Sequence, residues 1–182
     1  MIYKKSWKYI LVKDKYSDYY RPKALKYLFY VSKGDLGGFV QGYHNLSQEG
    51  GCWIHSEARI FSTARITGNA RVVGNATITG NAIISGDVQV YGDSMIREYA
   101  QISGNAKIYE HAVVFGNAII SGNARIHGNT QVFENARVYG NANIYGDSSI
   151  SGNAQIYGSA IVSSGYFYGY SEVSKGLHIM TT

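Results

Sequence analysis

Apolar residues recur at every sixth position through the middle of this chain. Counting in sixes from Ile54 reaches Val162 through nineteen positions, and each of them is Ile or Val. Four residues after each of the first eighteen stands a small or β-branched residue, which is Ala in all but four repeats. A short period that is kept for more than 100 residues indicates stacked structural repeats, so the pattern predicts a solenoid.

The other positions of each hexad predict the shape of one turn. Gly followed by Asn or Asp recurs between the apolar positions, as in residues 66–71, Ile-Thr-Gly-Asn-Ala-Arg. Gly and Asn tolerate left-handed backbone angles and suit corners, whereas β-branched residues suit strands. Three sides of six residues close a triangular coil. We therefore expect the Ile/Val and Ala positions to face inward in about six coils, which form a prism about 29 Å long.

The first 38 residues lack this period and predict a separate unit. Two runs rich in β-branched and aromatic residues, 6–12 and 25–31, predict two strands joined by a polar connection. A solenoid leaves strand edges and core open at its ends, so this segment is the expected N-terminal cap. The predicted organisation is a basic, Tyr-rich β cap at 1–38, the repeat at 39–163, and an aromatic C-terminal cap with a tail at 164–182.

Positive charge is concentrated in this predicted cap. The chain carries a net charge of +5, and residues 1–38 hold nine Lys/Arg against three Asp, whereas residues 39–182 hold eight Lys/Arg against nine Asp/Glu. The connection between the two predicted strands interleaves cations with aromatic rings: Lys13, Lys15, Arg21 and Lys23 beside Tyr16, Tyr19 and Tyr20. Such a segment is either a nucleic-acid or nucleotide contact or a solvated hairpin tip, and both alternatives stay open.

The rest of the composition favours a soluble cytoplasmic protein. Cys52 is the single cysteine, which excludes an internal disulfide and suits a reducing compartment. The sequence near Met1 contains no apolar run long enough for a signal peptide or a membrane span, so we expect no membrane partner. The histidines do not cluster with carboxylates or with Cys52, so we expect no metal site.

A family resemblance arises at the entry to the repeat. The segments Gly-Gly-Phe-Val at 37–40, Asn-Leu-Ser-Gln-Glu-Gly at 45–50 and Cys-Trp-Ile at 52–54, with the hexads that follow, resemble bacterial hexapeptide-repeat proteins described as acyltransferases. The resemblance implies an all-β fold, a left-handed parallel β-helix, and a homotrimer. It also implies acyl-CoA as the donor and a histidine as the general base. His111, at a corner after Glu110, and His127 are the candidates, although no loop interrupts the hexads to form an acceptor pocket.

The triangular coil assigns outward residues to three sides, because residues eighteen apart lie above one another. The first side is a candidate site for a small anionic ligand, which needs both rings and positive charge: Arg71, Tyr91, Lys107, Tyr109, Arg125, His127 and Tyr145. The second side is an apolar strip and a candidate subunit interface: Met95, Val113, Phe115 and Phe133. Each set has a plainer alternative as a ladder of side chains that only supports the fold.

Three functions compete on these observations. The favoured hypothesis is a non-catalytic oligomeric β-helix that binds a small anionic, nucleotide-like ligand or a partner protein, as an inhibitor or sequestering protein. The first alternative is an O- or N-acyltransferase that uses acyl-CoA, carried by resemblance alone. The second alternative is a structural rod. No cofactor is expected unless the acyltransferase alternative holds, and nucleic acid remains an open partner.

Overall fold

The computed structural model describes residues 7–179, and in this range the chain forms strands and turns without a helix. Most strands are only two residues long, as the hexad geometry requires. The strands are β1 (Tyr9–Lys13), β2 (Tyr20–Ala24), β3 (Phe39–Val40), β4 (Trp53–Ile54), β5 (Arg59–Ile60), β6 (Arg65–Ile66), β7 (Arg71–Val72), β8 (Thr77–Ile78), β9 (Ile83–Ile84), β10 (Gln89–Val90), β11 (Met95–Ile96), β12 (Gln101–Ile102), β13 (Lys107–Ile108), β14 (Val113–Val114), β15 (Ile119–Ile120), β16 (Arg125–Ile126), β17 (Gln131–Val132), β18 (Arg137–Val138), β19 (Asn143–Ile150), β20 (Gln155–Phe167) and β21 (Glu172–Ile179).

The repeat folds as a parallel β-solenoid in which each strand pairs with the strands one coil below and one coil above. Met95 in β11 pairs with Thr77 below and Val113 above, each eighteen residues away. The Ile/Val and Ala positions point into one continuous core, as Ile84 and Ala106, both fully buried, illustrate. The predicted inward positions, the parallel pairing and the three-sided coil are confirmed.

Glycine at the corners is required by close stacking of the coils. Gly104 has a φ of 72°, and a Cβ atom added there would lie 2.8 Å from the carbonyl oxygen of Gly122 in the next coil. A side chain at this position therefore meets both backbone strain and a backbone neighbour.

The solenoid has about eight turns, more than the six predicted, because coils continue on both sides of the perfect hexads. Before Ile54, Val40 pairs with Ile60 and Leu46 pairs with Ile66. After Val162, the residues expected to form a tail instead contribute β21, which pairs in parallel with β20. The winding sense of the coil remains a prediction.

The N-terminal segment differs in detail from its prediction. β1 and β2 form an antiparallel hairpin, in which Leu11 lies opposite Pro22, and β2 joins the solenoid through β3. The predicted second strand at 25–31 is wrong. Leu28 and Val31 instead exchange two backbone hydrogen bonds across a tight turn with Phe29 and Tyr30 at its tip. Strand propensity measures fit to a pleated, half-buried surface, and this run finds no neighbouring strand to lie against.

The C-terminal aromatic run also differs from its expected role. Phe167 alone points into the core, whereas Tyr166, Tyr168 and Tyr170 are exposed. Within β20, which ends at Phe167, successive side chains point to opposite faces, so Tyr166 points outward and Phe167 inward, whereas Tyr168 and Tyr170 follow the strand. Residues 180–182 of the predicted tail lie outside the described residues.

Candidate functional surfaces

The structure brings the predicted aromatic residues of the first side together as one stack. The ring centroids of Tyr91, Tyr109, His127 and Tyr145 follow one another at 4.8, 4.5 and 5.3 Å, with ring planes within 18° of parallel. Burial is the main cause that raises the pKa of Tyr91 and Tyr109 above the usual value. Because each interior ring is covered on both faces by its neighbours, the stack offers mainly ring edges and hydroxyl groups to a ligand.

The predicted cations of the first side are not equally free to meet a ligand. Lys107 and Arg125 lie beside the stack, opposite each other on the paired strands β13 and β16. Arg71 belongs to a different contact, since its guanidinium carbon lies 3.8 Å from the ring centroid of Tyr30 and 5.7 Å from that of Phe29. The rings of Phe29 and Tyr30 therefore cover the Arg71 guanidinium. The candidate ligand site is left with its residues from Tyr91 to Tyr145.

The two candidate catalytic histidines occupy one corner region, and each lies near its own carboxylate. His111 Nδ1 is 3.8 Å from Asp93 Oδ2, and His127 Nδ1 is 3.6 Å from Glu110 Oε2. The His127 Nε2 atom lies 3.2 Å from Asn143 Oδ1. His111 is exposed at the corner, whereas His127 is held inside the aromatic stack. A catalytic role for either residue remains a prediction.

Glu110 itself has a structural role that the sequence reasoning missed. It occupies a corner position with a φ of 60°, and its carboxylate accepts a hydrogen bond of 2.7 Å from the backbone N–H of Gly128 in the next coil. Glu98 and Glu134 repeat this arrangement with Gly116 and Gly152. The sequence does contain a sign of this role, because Glu replaces Gly at these three corners. These glutamates therefore tie successive coils together.

The apolar strip on the second side is partly covered by the chain's own residues. The rings of Phe115 and Phe133 stack with centroids 4.8 Å apart, and the Arg97 guanidinium lies 4.6 Å from the Phe115 centroid. Val113 is half-buried, and Met95 is the exposed member of the strip. Both faces of the Phe115 ring are therefore in contact, and the interface role of these four residues remains a prediction.

The N-terminal end is closed by contacts that have no counterpart in the hexads. The Gln48 side-chain oxygen accepts hydrogen bonds from the backbone N–H groups of Lys8 and Tyr9, and its amide nitrogen donates to the Tyr9 carbonyl at 3.0 Å. The Tyr43 hydroxyl accepts from the Leu11 N–H at 3.2 Å. These side chains take up backbone groups on the edge of β1 that faces away from β2.

Lys8 is fully buried beneath this hairpin. Its ammonium group donates to the Cys52 carbonyl at 2.9 Å and to the Glu49 carbonyl at 3.4 Å, and it lies 3.2 Å from Cys52 Sγ. Burial lowers the pKa of Lys8, and the neighbouring Cys52 partly offsets this effect. Lys8 thus satisfies carbonyl groups of the turn at 49–52, a role with no periodic signal in the sequence.

Neither a membrane helix nor a metal centre is found within residues 7–179. No helix there is long and apolar enough to cross a membrane. In the same range, no group of three or more His, Cys, Asp or Glu side chains is arranged to hold a metal ion.

These surfaces belong to a structural repeat protein whose coils form one parallel β-solenoid. Residues 58–161 match the family model described as Bactofilin: polymer-forming cytoskeletal. The match covers more than half of the chain, so the chain belongs to the Bactofilin family. Among curated proteins, none matches the sequence.

The resemblance to hexapeptide-repeat acyltransferases was therefore wrong. A six-residue period with small residues at the corners follows from the geometry of a triangular coil, so it identifies the coil and not the chemistry. The expected homotrimer rested on the same resemblance and has no support from the family, whose description names polymers. Self-association fits that description, and the structural rod agrees with it better than the favoured hypothesis of a ligand-binding protein.

Proposed function

We propose that this protein is a non-catalytic structural rod of a cytoskeletal assembly, located in the cytoplasm, which associates with further subunits through an end of its solenoid. The family description supports polymer formation. The observation that carries end-on association is the terminal coil, in which β21 pairs with β20 on one edge and with no other described strand on the opposite edge. The buried, unpaired Cys52 is consistent with a reducing compartment.

We prefer a structural rod to a ligand-binding protein because the candidate ligand-binding residues of the first side contact other residues of the same chain. The rings of the first side are stacked on one another, and Arg71 lies against Tyr30. Each of these contacts has a role within a single chain. A sheet edge, by contrast, presents backbone donors and acceptors whose natural partner is another strand.

Sedimentation velocity over a wide range of protein concentration tests the proposal. We expect species heavier than the 20.0 kDa chain at micromolar concentration, dissociating on dilution. A monomer at every concentration would overturn the proposal. An acetyl-CoA turnover assay tests the enzyme alternative, with His111→Ala and His127→Ala as control variants. We expect the wild type to give the same background rate as both variants.

A further inference from the structure

A buried lysine and the single cysteine of the chain lie side by side beneath the N-terminal hairpin. Lys8 Nζ is 3.2 Å from Cys52 Sγ, and both side chains are fully buried. An amine and a thiol are both nucleophiles and do not react with each other. Oxidation turns the sulfur into an electrophile, and an amine at this distance is then placed to attack it. The pair therefore has a chemistry that neither residue has alone.

Hydrogen bonds hold the Lys8 nitrogen beside the sulfur. Its ammonium group donates to the Cys52 carbonyl at 2.9 Å and to the carbonyls of Glu49 and Gly50 at 3.4 and 3.5 Å. Burial lowers the pKa of Lys8 and so favours the neutral amine, which is the form with a lone pair for attack. Position and protonation thus act in the same direction.

The surroundings of Cys52 make Lys8 the natural partner of its oxidised form. A sulfenic acid in a protein condenses with a second thiol or with a nearby nitrogen. The chain has no second cysteine. The next backbone N–H along the chain, that of Trp53, is already engaged with the Ala70 carbonyl at 3.0 Å. Lys8 is the amine that the fold places against this sulfur.

An exposed turn covers the thiol. The carbonyl oxygens of Ser47 and Glu49 lie 3.7 and 3.8 Å from Cys52 Sγ, and Glu49 and Gly50 are exposed at the surface. A small movement of this turn admits hydrogen peroxide, which is nearly as small as water. Because the sulfur is otherwise buried, larger reagents are kept out, including the thiol of another chain.

We propose that Lys8 and Cys52 are an oxidative modification site, at which hydrogen peroxide produces a covalent nitrogen–sulfur cross-link. First, peroxide oxidises the thiol to a sulfenic acid: the peroxide O–O bond breaks, an S–O bond forms, and water leaves. The Lys8 lone pair then attacks Sγ, so that an N–S bond forms and the S–O bond breaks. An amine proton departs with the oxygen as a second water. The sulfur is oxidised, the peroxide is reduced, and the protein loses two hydrogens in total.

The cross-link would fix the N-terminal hairpin to the solenoid, whichever surfaces the rods use to associate. It joins the residue before β1 to the residue before β4, across 44 positions of the sequence. A covalent bond that closes such a loop restricts the unfolded chain and stabilises the folded one. A thiol reductant reverses the link, restoring the Lys8 amine and the Cys52 thiol as the reductant is oxidised to its disulfide. In a reducing compartment the link therefore forms while peroxide is in excess.

Peptide mapping of the full-length wild type tests the site. The folded protein is treated with hydrogen peroxide, remaining thiols are blocked with N-ethylmaleimide, and the chain is digested with trypsin. Trypsin does not cleave after a lysine whose amine is substituted. We therefore expect residues 6–13 linked to residues 34–59, with two hydrogens fewer than the two peptides together. Neither peptide contains methionine, whose oxidation would complicate the masses, and dithiothreitol should separate them.

Three variants and a denatured sample identify the reacting pair. Lys8→Met and Cys52→Ser should each abolish the linked peptides. Lys15→Met removes an exposed amine outside both peptides and should leave their yield unchanged. Peroxide treatment in urea should give no linked product, because the two residues are no longer neighbours. If Lys8→Met does not fold, the fragment spectrum of the wild-type product identifies the linked lysine directly.

Several results would overturn the inference. One is a Cys52 that gains oxygen without becoming linked, or that stays a free thiol while the exposed Met95 is oxidised. Another is a link from Cys52 to a different lysine, or an equal yield in urea, since the folded contact would then not direct the reaction. A linked pair that retains the peroxide oxygen would overturn direct attack of nitrogen on sulfur.

Amide hydrogen exchange measures the consequence of the link. Peroxide-treated wild type should exchange more slowly than untreated protein in the hairpin formed by β1 and β2, and dithiothreitol should restore the original rates. Cys52→Ser should show no such change on treatment. Equal rates before and after linking would overturn the proposed fixing of the hairpin.

Discussion

The backbone hydrogen-bonding groups at strand edges find one kind of partner in the middle coils and another kind at the N-terminal end. In the middle, each edge is met by the backbone of the next coil, as where the Arg71 N–H donates to the Val88 carbonyl at 2.8 Å. At the N-terminal end, the last edge is met by individual side chains, above all Gln48. The first arrangement repeats and tolerates variation between coils, whereas the second depends on single residues. The free energy of unfolding should therefore depend on many similar contacts in the middle coils and on a few individual side chains at the N-terminal end.

The largest expected effect comes from neighbouring residues of one middle strand. Ile84 in β9 is fully buried between Ile66 and Ile102, whereas the adjacent Ile83 is exposed. Ile84→Ala should lower the free energy of unfolding by about 2–5 kcal/mol, because it leaves a cavity in a close-packed core. Ile83→Ala should cost less than about 1 kcal/mol. Urea unfolding of both variants measures the difference, and equal losses would contradict the inward assignment of this column.

The corresponding test at the N-terminal end is Lys8→Met, which keeps most of the side-chain volume but removes the ammonium group. The carbonyls of Cys52 and Glu49 then lose a donor, and the variant should cost about 1–3 kcal/mol. The loss should be local, so amide hydrogen exchange should speed up in residues 8–24 and stay unchanged in the middle coils. Lys33→Met, at an exposed position, is the control. Faster exchange throughout the chain would contradict a separate end.

The same comparison separates what the sequence could predict from what it could not. The inward column through Ile84 and the corner at Gly104 follow from a period, and a period is visible in one sequence. The contacts of Gln48, Tyr43 and Lys8 join residues 32–44 positions apart and occur once. Nothing local distinguishes such a glutamine from a solvated one. The candidate ladder of the first side was predicted as a group, with a ladder that only supports the fold as one of two alternatives, and the structure shows its rings stacked on one another.

Tyr9, at the N-terminal end, should make the free energy of unfolding depend on pH. Burial raises the pKa of Tyr9 above its usual value of 10, with Cys52 and Tyr43 adding to the shift, and its hydroxyl donates to the Leu46 carbonyl. Its contribution is therefore fully present below pH 10 and is lost as the pH rises from there toward the folded pKa. Tyr9→Phe should cost about 1 kcal/mol at neutral pH and flatten this alkaline loss.

Urea unfolding between pH 8 and 11 measures the effect as a difference between the wild type and Tyr9→Phe. The comparison is needed because Lys8, whose pKa burial lowers, has the opposite slope below its usual pKa of 10.5. Lys8 is present in both proteins, so its contribution cancels to first order. Tyr16→Phe, at a highly exposed ring, is the control and should leave the profile unchanged. An identical slope in wild type and Tyr9→Phe would show that Tyr9 does not titrate with unfolding.

The smallest expected effect concerns corners that lack glycine. Ser62 and Glu98 have φ values of 54° and 62°, in the region where a side chain is strained, but only Glu98 gains a bond to the next coil, from the Gly116 N–H. Ser62→Gly should therefore raise the free energy of unfolding by about 0.5–1 kcal/mol, because strain is relieved and the carbonyl contacts of Ser62 are kept. Glu98→Gly should give no such gain, since the relieved strain is offset by the lost hydrogen bond. Equal stabilisation of the two variants in thermal unfolding would mean that the corner carboxylates do not tie the coils together, and the middle would then depend on backbone pairing and core packing alone.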